Sequence, residues 1–155
     1  MIQRIQTVYL LLAIIALSVC LMMPLGTIQP DGMGLSAELF NLLVLTENAN
    51  LKPSLWFEPF PLFLCIFIVV LLLLTAIFSY KRRMRQAKLC SIAIAFCIIW
   101  YAGLYLYAYQ LAPEATHFKP SWGTCLPLVA IILIVLARKG IMADERLVRE
   151  SNRLR

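Results

Sequence analysis

At 155 residues, with 62% hydrophobic residues and only 14% charged, the chain has the length of one domain and a composition far outside that of a soluble globular protein. Its formal charge of +6 does not point to nucleic acid, because the basic residues concentrate beside the ends of apolar runs, where they set topology. The runs are continuously apolar rather than alternating, which excludes a closed β-barrel and leaves membrane-spanning helices, whose backbone is satisfied within each segment.

Arg4 is followed by no charge until Asp31, and residues 7–23 suffice to cross the hydrocarbon at about 1.5 Å per residue. A first span over about 6–24 is predicted. Leu17-Ser18-Val19-Cys20 is similar to a lipoprotein-processing box, but Val19 is bulkier than the residue such a site takes and no A-x-A follows, so a retained anchor is expected. Residues 25–57 form the longest connection, with turn chemistry at Pro30-Asp31-Gly32 and Glu47-Asn48-Ala49-Asn50. Between them the apolar stretch Leu39 to Leu45 is too short to span and reads equally as a strand of a small hairpin or as an interfacial helix capped by Ser36. The segment carries Asp31, Glu38 and Glu47 against Lys52 alone, which predicts an outer loop.

A second span is expected over 58–80, entered through Pro59 and Pro61, which are tolerated where first-turn amides have no helical acceptor. Thr75 is expected to bond the preceding turn. Residues 81–88 then hold five positive charges, Lys81, Arg82, Arg83, Arg85 and Lys88, and read as a short basic turn on the cytoplasmic side. In the third span, 89–112, the stripe Ala87, Ser91, Ala95 and Gly103 offers a close-packing face. Trp100 precedes Tyr101, Tyr105 and Tyr109, which share another side. A second outer loop, 113–120, holds the only histidine, His117. The fourth span, 121–138, contains Pro127, which should kink it, and ends on Arg138 and Lys139, which can snorkel. Gly140 marks a break before the tail 139–155, where Glu145 and Arg149 stand in the favourable i,i+4 order of a short helix.

Assigning both termini and the basic turn to the cytoplasm puts twelve of the fourteen Lys and Arg residues inside, leaving Lys52 and Lys119 outside. The expected fold is therefore all-α, a single integral membrane four-helix bundle, N-in and C-in, with a short cytoplasmic C-terminal helix. Trp56 and Trp122 would mark the outer interface, and Tyr9 and Tyr80 the inner one.

Both ends of the chain carry a resemblance. Met1-Ile2-Gln3-Arg4-Ile5-Gln6-Thr7-Val8-Tyr9-Leu10 at the start, and Asp144-Glu145, Leu147-Val148-Arg149 and Arg153-Leu154-Arg155 at the end, resemble the bacterial domain of unknown function 4293. The resemblance covers essentially the whole chain and implies a small four-span protein of the bacterial inner membrane. It implies no activity.

The residues themselves carry little chemistry. No ionisable group lies between the ends of any span, which disfavours a coupled transporter. The cysteines Cys20, Cys65, Cys90, Cys97 and Cys125 lack CxxC or His/Cys spacing and read as packing residues. His117, Glu114 and Glu58 have no spacing that demands a metal, and no Ser/His/Asp set or phosphate loop is present. We expect no metal, no cofactor and no enzyme. Trp100, Tyr101, Tyr105 and Tyr109 form the candidate intramembrane ligand face, set against plain packing that grades into an interfacial belt. Lys81, Arg82, Arg83, Arg85, Lys88, Arg146, Arg149 and Arg153 are the candidate lipid-headgroup or partner contacts, set against topological determinants and solvated surface. The leading expectation is a non-catalytic structural or partner-binding protein whose tail meets anionic lipid or another protein. The alternative is a small carrier or lipid-binding protein. A claudin-like junction protein would share the topology, but residues 25–57 hold no cysteine pair to staple such a loop.

Overall fold

A computed structural model describes residues 3–30, 37–42, 44–46, 59–79, 82–111 and 116–153. Most of the described chain is helical. The four helices are α1 (Gln3–Met22), α2 (Phe60–Phe78), α3 (Arg83–Leu111) and α4 (Leu126–Arg153). Each is long and apolar enough to cross a membrane. Four short strands, β1 (Gly26–Pro30), β2 (Ala37–Leu39), β3 (Val44–Thr46) and β4 (Thr116–Pro120), form one sheet in the order β3-β2-β1-β4. All its pairings are antiparallel. The helices pack in the cyclic order α1-α2-α3-α4, so that α4 closes back on α1. The sheet closes one end of the bundle, and the chain termini lie at the other.

Each helix buries a stripe that alternates steps of three and four. The stripes are Leu10, Ala13, Leu17 and Cys20 on α1; Leu62, Ile66, Val69, Leu73 and Ala76 on α2; Cys90, Ala93, Cys97, Trp100 and Leu104 on α3; and Ala130, Ile134, Ala137 and Ile141 on α4. This is the seam of a coiled-coil-like bundle, and its many Ala and Cys side chains let the backbones come close. Large apolar residues are left exposed around it, such as Leu11, Leu12 and Ile15, Phe67 and Leu71, Ile98 and Ile99, and Leu128 and Ile132.

Several expectations are corrected. The small-residue stripe is only partly the packing face of α3: Ala87 is buried and Ser91 and Gly103 half-buried, but Ala95 is exposed and the core runs through Ala93 and Cys97. The basic segment 81–88 is not a turn throughout. Arg83 to Lys88 are already the first turns of α3, and just before them the Arg82 amide donates to the Ser79 carbonyl at 3.0 Å. Arg and Lys are good helix formers, and their charge alone does not end a helix.

The fourth span and the tail are one helix. α4 runs without a break through Gly140 to Arg153, so there is no separate C-terminal helix. A Cβ on Gly140 would stand 3.1 Å from Gln6 Cγ and 3.2 Å from its Nε2, so the glycine serves close approach of α1 and α4. Pro127 sits in the first turn of α4, after the 3₁₀ turn Trp122–Cys125, where its missing N–H is not needed, rather than in the interior of the helix. Pro59 and Pro61 likewise open α2, with the Pro59 carbonyl accepting from the amides of Leu62 at 2.9 Å and Phe63 at 3.3 Å.

The fold is not purely helical. The apolar stretch from Leu39 is divided between β2 and β3, which pair as a hairpin (Leu39 opposite Val44), so the interfacial helix is excluded over Ala37–Leu39 and Val44–Thr46. Residues 116–120 of the second connection pair with β1, Gly26 opposite Pro120 and Pro30 opposite Thr116. The Leu25 amide donates to the Leu39 carbonyl at 2.7 Å and the Ser121 amide to the Leu25 carbonyl at 2.9 Å, so Leu25 ties both connections to the end of α1.

Candidate functional site

Two polar clusters interrupt the apolar interior, one at each end of the bundle. At the sheet end Asn41 is fully buried. Its Nδ2 donates to the carbonyl of Cys20 at 2.8 Å, satisfying an orphan acceptor at the end of α1, and its Oδ1 accepts from Trp100 Nε1 at 3.2 Å. Cys20 Sγ in turn lies 3.4 Å from the carbonyl of Gly123. Next to it Tyr101 packs edge-on against Trp100, with ring centroids 5.0 Å apart, and its hydroxyl donates to the Thr124 carbonyl at 2.6 Å. Every member is engaged within the protein. The cluster fastens the sheet to the helices.

The four aromatic residues read as a ligand face therefore have separate surroundings. Trp100 points into the core and Tyr101 is half-buried against the 3₁₀ turn, while Tyr105 and Tyr109 are 73% and 75% exposed on the outside of α3. Neither Trp56 nor Tyr80, the expected interface markers, lies within the described residues; Trp122 does, and it is exposed.

At the termini end the chemistry is charged. Gln6 Nε2 donates to Asp144 Oδ2 at 2.7 Å, and Arg83 Nη1 donates to the backbone carbonyl of Asp144 at 3.3 Å. One residue of α4 thus receives contacts from both α1 and α3, one turn past the Gly140 that lets Gln6 approach. This clasp holds the end of α4 against the bundle beyond its last apolar core residue, Ile141.

The opposite side of α4 is open. Higher on the helix it presents exposed Leu128, Ile132 and Leu136. From Arg138 onward the same side becomes a mixed groove of about 630 Å³ lined by Arg138, Lys139, Met142, Ala143, Arg146, Leu147 and Glu150. Leu147, one of its lining residues, is 60% exposed. Three cations, one anion and two large apolar side chains share this helix face. Among the described residues no three His, Cys, Asp or Glu side chains gather.

The predicted basic contacts divide accordingly. Arg82, Arg83, Arg85 and Lys88 stand at the start of α3, at the same bundle end as Arg138, Lys139 and Arg146. Lys81 lies outside the described residues, as do Glu58 and Glu114 of the metal set considered above; His117 is in β4 opposite Gln29. Arg149 and Arg153 belong to the last turns of α4. Asn41 and the Gln6–Asp144 pair were missed by reasoning from the sequence. The available signal was an amide side chain standing alone in an apolar run.

Residues 2–154 match the sequence profile of the family described as "Domain of unknown function (DUF4293)". The chain belongs to the DUF4293 family. The match takes in all four helices, the sheet and the α4 extension, so the clasp and the groove lie within the region that defines the family. None of the curated proteins matches the chain.

Proposed function

We propose that this DUF4293 protein is a four-pass protein of the bacterial inner membrane with both termini cytoplasmic, acting without catalysis as a structural or partner-binding protein. The exposed aliphatic belt supports the membrane reading, since soluble monomers seldom leave so much contiguous apolar surface uncovered. Orientation rests on charge, the basic residues of α3 and α4 gathering at the termini end while Lys119 stands on the sheet.

The observation that carries the functional reading is the length of α4. Its apolar run ends at Ala137, and Arg138 and Lys139 already supply the charge that orients it. The helix nevertheless continues for about 22 Å more at helical rise. It is held there by Asp144, with a mixed basic and apolar face turned outward. Topology needs none of this extension, and docking does.

The carrier or lipid-binding alternative draws less support, because its residues Trp100, Tyr101, Tyr105 and Tyr109 do not converge. The test removes residues 146–155, which keeps Ile141 and the Asp144 clasp. Insertion should persist, with a periplasm-dependent reporter at the new C-terminus inactive, while proteins cross-linked to the full chain in native membranes no longer co-purify. Unchanged co-purification would overturn the docking role, and an active reporter would overturn the orientation.

A further inference from the structure

Resting on that reading, we infer that the groove on α4 receives an acidic amphipathic helix of a protein partner. Arg138, Met142, Arg146 and Glu150 follow one another at intervals of four and form a ridge along α4, and Lys139, Ala143 and Leu147 form a second beside it. Between two such ridges lies the depression into which a ridge of another helix fits, and Ala143 leaves the room for close approach. The walls set the chemistry of the occupant. Apolar side chains would meet Met142 and Leu147, and carboxylates about eight residues apart would meet Arg138 and Arg146, with a cation opposite Glu150.

The height of the groove argues against lipid. Arg138 ends the uninterrupted apolar run of α4, which on the membrane reading sets the hydrocarbon boundary there. At about 1.5 Å per residue Arg146 stands about 12 Å beyond it and Glu150 about 18 Å, whereas the headgroup layer on one side is only about 5–8 Å deep. Because α4 continues as one helix through Gly140, and because Gln6 and Arg83 fix Asp144 to the bundle, the part of the groove from Arg146 to Glu150 is carried past the headgroups. A second copy of the chain suits it poorly. Asp144 is engaged in the clasp, and Glu145 and Glu150 are the only other carboxylates described on α4.

The experiment places a photoreactive residue at position 147 of the full chain and irradiates native membranes, with a second probe at position 128 on the same side of α4. A protein adduct at 147 is expected, whose cross-linked peptide carries acidic residues about eight positions apart. It should fall roughly tenfold or more in R138E/R146E, while the probe at 128 labels lipid. A lipid adduct at 147, an adduct to a second copy of this chain, an adduct indifferent to R138E/R146E, or none would each overturn the inference. A lipid adduct at 147 together with loss of co-purification after removal of 146–155 would sink the acidic helix and leave the docking role standing.

Discussion

The indole of Trp100 donates through Nε1 to Oδ1 of Asn41 at 3.2 Å, joining the interior of α3 to the bend between β2 and β3. The same amide donates to the Cys20 carbonyl, so one side chain spans three parts of the chain. Asn41→Leu keeps the γ-branched shape and strands a donor and an acceptor, costing about 1–3 kcal/mol for each group left unpaired. Thermal unfolding in detergent micelles should show a clear drop. Trp100→Phe should cost less than Asn41→Leu, and the double variant less than the sum of the two singles, because both remove the same bond.

Glycine positions separate tight backbone contact from slack. A Cβ on Gly123 would lie 2.5 Å from the Pro24 carbonyl oxygen, which belongs to the backbone and cannot swing away, whereas on Gly103 it would meet the flexible end of Leu62 at 3.2 Å. Gly123→Ala is therefore expected to destabilise by about 1–3 kcal/mol. Gly103→Ala should be close to neutral. Folded yield and melting temperature of the two purified variants decide the point.

At the opposite end, Gln6→Leu removes the donor to Asp144 and leaves the charged acceptor with less support. A hydrogen bond to a charged group contributes about 1.5–3 kcal/mol. Asp144→Asn retains an acceptor oxygen and should be milder. Hydrogen exchange followed by mass spectrometry should show faster exchange over residues 145–153 in Gln6→Leu, with α2 unaffected. Equal protection in variant and parent would mean that the extension holds its position without the clasp.

The tyrosines of α3 should respond in opposite ways. Tyr101→Phe loses the 2.6 Å bond to the Thr124 carbonyl and should cost about 0.5–1.5 kcal/mol. Tyr105→Phe, on an exposed ring, should leave the melting temperature unchanged. If the pair of substitutions altered co-purifying lipid instead of stability, the carrier reading would regain ground.

The helical spans were legible because charge is expensive in hydrocarbon and its absence leaves a plain mark. Which side of each helix faces inward was not, since the outward side is as apolar as the core: α2 buries Leu62, Ile66 and Leu73 while exposing Leu64, Phe67 and Leu71. Residue size is only a partial guide, because Ala95 faces out and Trp100, the largest side chain of α3, faces in. Gly140 looked like a terminator because glycine often ends helices, and only the neighbouring Gln6 reveals its use. The sheet was half visible. The stretch after Leu39 is too short for periodicity to decide, and β4 takes its identity from a partner strand in a distant connection. The groove's residues were partly in view, since Arg146 was named, but Met142 and Leu147 join it only once α4 is known to be unbroken.

The pairing of β1 with β4 has a consequence for how the molecule is made. β1 leaves the ribosome just after α1 and gains β2 almost at once, but its other edge waits for a segment synthesised about 90 residues later. At translation rates of about 5–20 residues per second that edge stays open for roughly 5–20 seconds. Over that interval both α2 and α3 are synthesised behind α1. Assembly of this protein is therefore gated by its last connection, and an intermediate halted before Thr116 would expose a ready-made template for strand addition.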